Sequence, residues 1–225
     1  AADDGIFSNG SNAIITNSGS ITGANDGIDS DGANAIITNS GTITGTSFDG
    51  ITSAGDDVTI TNNGIINADY GIYSMGAKAT ITNSGIINGD YGIYSDGDDA
   101  TITNSGSITA DGANSDGIFS NGNNATITNS GTINAGNRGI YSSRADATIT
   151  NSGTINGAFG IFSFGTNTTI NNSGHITGTN HAILGGISDS LTLNLLKGSQ
   201  LMGAIDLNGA GDNDTVNVHG GSVSA

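Results

Sequence analysis

ATITNSGIIN, residues 79–88, has close copies along the whole chain. AIITNSGSIT begins at Ala13, AIITNSGTIT at Ala35, ATITNSGSIT at Ala100, and ATITNSGTIN at Ala125 and again at Ala147. A diverged copy, TTINNSGHIT, begins at Thr168. Between them sits a shorter motif, in the order DGIFS, DGIDS, DGITS, YGIYS, YGIYS, DGIFS, RGIYS, FGIFS. A fixed period of this length decides architecture before any single residue is read.

Three isoleucine columns define the repeating unit. The first is Ile6, Ile28, Ile51, Ile72, Ile93, Ile118, Ile140, Ile161 and Ile183, with steps of 22, 23, 21, 21, 25, 22, 21 and 22. The second runs from Ile15 to Ile170 through the T-I-T segments, and the third from Ile21 to Ile176. Alternation in T-I-T-N has period two, so the segments read as strands with Ile on one side and Thr on the other. Three short strands cannot close a core alone. Stacked, they can, because each Ile column becomes a buried ladder. The predicted fold is therefore all-β: a parallel β-helix with three strands per rung and nine to ten rungs of 21–25 residues. At about 4.8 Å per rung the rod is roughly 45 Å long. Burying each Ile contributes about 1.5–3 kcal/mol before the entropy cost. Residues 1–225 read as one β-helix, regular over 1–180 and irregular over 181–225, where Leu replaces Ile.

The corners fix the register. From the Ser that ends each GIxS, six residues reach the next strand, as in SDGDDA from Ser95, and Gly is expected there for a positive φ. The second corner is Asn-Ser-Gly. Its Asn follows an outward Thr and so points inward, which predicts a buried ladder of amide-to-amide hydrogen bonds from Asn17 to Asn172. The third corner varies in length and is longest over 110–116, the kind of place where solenoids bind partners.

Composition excludes several functions. The chain has no Pro, Cys or Trp, and its 20 acidic residues, all Asp, face only four basic ones, for a net charge of −16. That disfavours nucleic acid and anionic lipid alike. No apolar run is long enough to enter a membrane. The chain starts and stops inside repeat-like sequence, which predicts a piece of something longer.

The repeats ATITNSGTIN with DGIYS-type joints, followed by HAILGG, LTLN and GAIDLNGAGDNDTVNV, resemble the passenger domains of Gram-negative autotransporter (type V secretion) proteins. The resemblance covers the whole chain. It implies a right-handed β-helix exported through a C-terminal barrel that this chain does not include. It also implies an extracellular or cell-surface setting and, often, adhesion, self-association or biofilm formation.

Candidate binding residues follow from columns on the first strand. Phe7, Asp29, Thr52, Tyr73, Tyr94, Phe119, Tyr141, Phe162 and Leu184 all fall on one outward line. Its five consecutive aromatics form a candidate stripe for a glycan, a partner protein or a second copy of the chain, and equally a ladder that stabilises the solenoid. A neighbouring column reads Asp4, Asp26, Asp49, Tyr70, Tyr91, Asp116, Arg138, Phe159, His181. It predicts an Asp116–Arg138 ion pair and a Tyr70–Tyr91 stack. Its row of Asp is either solvated or, less readily, a Ca²⁺ site. Lys78 is expected to pair with Asp57 and Asp99 one rung away on either side. Asp212 and Asp214 give only a faint match to calcium-binding repeats.

Thr-x-Thr pairs such as Thr80/Thr82 and Thr101/Thr103 resemble the arrangement on β-helical ice-binding proteins. Catalysis has little support. His175, His181 and His219 are scattered, no G-x-S-x-G elbow exists, and basic residues are too few for a polysaccharide lyase, which leaves paired Asp as the one set that could hydrolyse a glycoside. The reading is a non-catalytic adhesive, self-associating or spacer rod without a cofactor, with ice binding or a glycan-active enzyme as alternatives.

Overall fold

The computed structural model describes residues 3–186, 190–207 and 213–224, so Asp212 lies outside the described residues. Its architecture is a parallel β-solenoid of ten turns. Ten second strands, from Ile14–Asn17 to Thr215–Val218, pair in sequence order as one parallel sheet. The first and third strands of the rungs line the other two faces. They merge into one 17-stranded sheet because the third corner straightens within Thr154–Ser163 and His175–Gly185. Register is set residue for residue: Ile81 lies between Ile60 and Ile102, and Asn83 between Asn62 and Asn104.

The core is the three Ile columns. Every column Ile is buried except Ile6 and Ile21 on the first rung, which pack against the cluster half-exposed. Leu191, Leu193, Leu195 and Leu201 continue the core beyond the regular repeats. There the strands still pair in parallel, with register shifts around His181.

The inward Asn forms the expected ladder. Each Nδ2 donates to the next Oδ1 at 2.8 Å, from Asn17 through Asn39, Asn62, Asn83, Asn104, Asn129 and Asn151 to Asn172. The ladder stops where Leu195 replaces Asn, and Asn172 donates instead to Ser199 Oγ at 2.7 Å.

Two expectations about the constant corner are corrected. Its Gly does not hold the positive φ. That conformation falls on the fifth corner residue, from Asn12 (61°) through Lys78 (58°) to Asn167 (57°). The corner Gly is needed for space: a Cβ on Gly97 would lie 1.9 Å from the carbonyl oxygen of Gly76, one rung below. Nor does Lys78 reach Asp57 or Asp99, as no ion pair forms between them. The left-handed backbone aims these side chains into water, where a long Lys gains little from being held. The contacts in this column are short ones, Asn124 Nδ2 to Asp99 Oδ1 at 3.0 Å and Asn167 Nδ2 to Asp146 Oδ1 at 3.1 Å.

Candidate functional site

The first face is built on the motif x-G-I-x-S, and its Gly explains why two outward columns exist. In Tyr70–Ser74 both Gly71 and Ile72 are buried, so strict alternation breaks between them. A Cβ on Gly71 would lie 2.1 Å from Ile87 Cγ2 on the third strand. With no room for a second inward side chain, the residues on either side of Gly-Ile both turn outward. Tyr70 and Tyr73 therefore share the surface, ring centroids 5.9 Å apart.

All five candidate residues stand in register on this face, and all are half-buried. Centroid separations are 5.1 Å for Tyr73–Tyr94, 4.5 Å for Tyr94–Phe119, 4.8 Å for Phe119–Tyr141 and 5.2 Å for Tyr141–Phe162. The last two pairs stack near parallel, while Tyr94 stands edge-on to both neighbours, at 83° and 78°. Ring pairs of this kind contribute about 0.5–1.5 kcal/mol each beyond area burial, so the ladder also stabilises the rod. Burial holds the Tyr73 and Tyr94 phenols up to about 12; Tyr73 also donates to Asp96 Oδ2 at 3.0 Å. The face is uncharged along this line at neutral pH.

The adjoining column completes it. Tyr70 stacks on Tyr91 at 4.6 Å, as expected, and Phe159 on His181 at 5.7 Å. Arg138 makes the expected bond to Asp116 with both arms, Nε to Oδ1 and Nη2 to Oδ2, each 2.7 Å. Asp116 is only 1% exposed, and burial raises its pKa above the ordinary carboxylate value despite the guanidinium. The same guanidinium lies 3.8 Å from the centre of the Tyr141 ring. That cation–π contact and the edge contact of Phe164 on Phe162 were not read from the sequence. The three-residue spacing in RGIY was a signal for the first, whereas Phe164 is a corner residue outside the strand pattern.

Toward the N-terminal rungs the same two columns turn acidic. Asp26 and Asp49 continue the Tyr70 line, and Asp29 and Thr52 continue the Tyr73 line. Carboxylates bond along the axis: Asp4 Oδ1 accepts from the Asp26 amide at 3.4 Å, and Asp26 Oδ1 from the Asp49 amide at 2.9 Å. Thr52 donates to Asp49 Oδ2 at 2.7 Å. Among the described residues, no group of three or more His, Cys, Asp or Glu is arranged to hold a metal ion.

The second face differs from both. The outward residues of its strands are Thr, Ile and Asn, and none is charged. Thr59/Thr61, Thr80/Thr82, Thr101/Thr103, Thr126/Thr128 and Thr148/Thr150 stand in register over five rungs. Asn171, Asn194 and Asn217 extend one line as an amide ladder at 2.8 Å.

The class these observations define is a parallel β-solenoid. In comparison with known proteins, no family model, curated protein or solved structure matches the chain.

Proposed function

We propose that the chain is a non-catalytic rod of an adhesive or self-associating surface structure, and that copies meet through the first face. The ladder Tyr73–Tyr94–Phe119–Tyr141–Phe162 carries the reading, because it leaves a half-exposed apolar stripe on a rod of net charge −16. Contiguous exposed apolar surface of this kind marks interaction sites. In the Phe119–Tyr141–Phe162 stretch the ring faces turn toward one another, which leaves edges outward and no flat platform for a sugar. A second ladder of identical period is the partner whose spacing matches without adjustment, and like patches meet in isologous pairs. A host glycan or protein is the alternative occupant. The extracellular setting rests on the resemblance of the repeats to passenger domains.

The test is clumping of beads or cells that display the rod. Tyr73→Ala, Tyr94→Ala and Tyr141→Ala together should abolish it. Phe164→Asp, which adds charge beside an intact ladder, should weaken it. Circular dichroism confirms that each variant is folded. Clumping unchanged in both dismisses the reading, and clumping that needs added glycan moves it to the alternative.

A second reading has its own observation, the uncharged second face with Thr pairs in register over five rungs. A flat hydroxyl array without charge is suited to the surface of ice. Ice crystals grown with micromolar protein should then be faceted, and Thr103→Lys should round them; unshaped crystals with the unaltered chain remove it.

A further inference from the structure

We infer that the acidic end of the first face is a proton gate on the pairing proposed above: parallel rods pair along the whole face once Asp26, Asp29 and Asp49 are neutral, and only weakly before. The inference rests on that reading of the aromatic ladder and adds its regulation.

Geometry sets the gate. In a pair related by a two-fold axis along the rod, every rung meets the same rung of its partner. Aromatic rungs then face aromatic rungs, and acidic rungs face acidic rungs. A first strand such as Tyr70–Ser74 has five residues. It therefore covers about 16 Å, and each rung adds about 4.8 Å. Five aromatic rungs give a footprint of roughly 380 Å² per rod, about 770 Å² in total, which is the size of a weak contact. The three acidic rungs have first strands of three, three and five residues, and adding them raises the total to roughly 1,100 Å², close to the lower bound of a stable interface. The acidic end therefore decides whether the pair is stable.

Charge at that end is uncompensated. Asp49 is 8% exposed, Asp26 and Asp29 are half-buried, and none of them joins an ion pair. The titratable groups facing them from their own and the adjoining strands and corners are Asp4, Asp31, Asp69, Tyr70 and Tyr73, and none is a cation. Lys78, Arg138, Arg144 and Lys197 all belong to later rungs. Burial, then repulsion from neighbouring Asp, raises Asp29 to about 6; burial raises Asp49 to about 6, although its bond from Thr52 opposes the shift. Burial also raises Asp26. Pairing two such ends buries Asp29 and Asp49 against their copies as like charges above pH 6 and as neutral carboxyls below it, and the upward shift of Asp26 acts in the same direction. An ordinary Asp, near 3.8, stays ionised across that step.

The experiment is sedimentation equilibrium of the whole chain at pH 7.5 and pH 5.0. The unaltered rod should associate at least tenfold more tightly at pH 5.0. Asp26→Asn, Asp29→Asn and Asp49→Asn combined should associate tightly at both values. Asp57→Asn, Asp99→Asn and Asp146→Asn combined remove the same charge at corner positions where other rungs already carry Asn. This control should keep the tenfold step. Equal association of the unaltered rod at both values overturns the gate and leaves the ladder reading standing. Loss of the step in the corner variant also overturns it, by assigning the effect to bulk charge. No association at any pH overturns the pairing itself.

Discussion

Asn104→Ala removes one member of the buried amide ladder, and the hydrogen bonds on either side set its cost. Asn104 Oδ1 accepts from Asn83 at 2.8 Å, and its Nδ2 donates to Asn129 at 2.8 Å. The substitution leaves Asn83 Nδ2 with only long contacts to the Gly85 and Ser107 carbonyls, both 3.4 Å, and leaves Asn129 Oδ1 without its donor. Two buried groups stripped of good partners cost about 1–3 kcal/mol each, so a loss of roughly 3–5 kcal/mol is expected once the vacated volume is included. The surface control Thr103→Ala should stay within about 0.5 kcal/mol. A double substitution sharpens the test. Asn83→Ala with Asn104→Ala still leaves only two stripped ends, at Asn62 and Asn129, because the two residues share one bond. Their costs should be clearly sub-additive. Asn83 and Asn151 share no bond and lie three rungs apart, so that pair should add. Urea titrations followed by circular dichroism, fitted with nearest-neighbour coupling between rungs, give these numbers. A loss below about 1 kcal/mol for Asn104→Ala, or full additivity of the adjacent pair, would refute the ladder as a stabilising unit.

Four other outcomes follow from single positions. Gly71→Ala should cost about 1–3 kcal/mol in the same titration, since its Cβ would meet Ile87 Cγ2 at 2.1 Å and the Gly92 oxygen at 2.6 Å. Lys78→Asn should gain about 0.5–1 kcal/mol and raise the melting temperature, because Asn tolerates the left-handed backbone (φ 58°) that Lys occupies there. Ser95→Ala should be neutral or stabilise by up to about 1 kcal/mol, as its buried hydroxyl has no partner. Arg138→Ala strands the buried Asp116 and should cost about 2–4 kcal/mol near pH 7. The folded-state pKa of Asp116 is raised, so the native state holds the proton more tightly than the unfolded chain. Stability therefore falls as pH rises from about 4, and melts at pH 4 and pH 7 should show the smaller loss at pH 4.

The fold was legible because each rung repeats one physical solution. Ile at a fixed place in three strands, with Thr beside it, allows one inward direction, and an Asn two residues after the Ile has to point the same way. Ladder geometry at Asn83 and the Tyr70–Tyr91 stack followed from alternation and period alone. The unread details depend on distances across rungs that no single repeat contains. Gly97 reads as a turn residue in sequence because turns favour Gly, whereas the Gly76 oxygen 1.9 Å from its missing Cβ is what excludes other residues. Lys78 looked paired because its neighbours are Asp, but backbone direction decides reach, and the sign of the charge does not. On the first face the columns were readable as lines of residues. Their merging into one surface was not, because it depends on Gly71 suppressing an inward side chain.

The central claim is that rods meet through the first face, and a single-cysteine cross-link tests it most directly. The chain has no cysteine of its own. Phe119→Cys places a thiol in the middle ring of the ladder, and Thr103→Cys places one on the uncharged second face. At pH 7 the pairing is weak, but a short thiol-to-thiol cross-linker traps even brief encounters, so the account predicts that covalent dimers of the Phe119→Cys rod accumulate with time while Thr103→Cys stays monomeric. Dimers from Thr103→Cys alone, or equal yields from both, would contradict it.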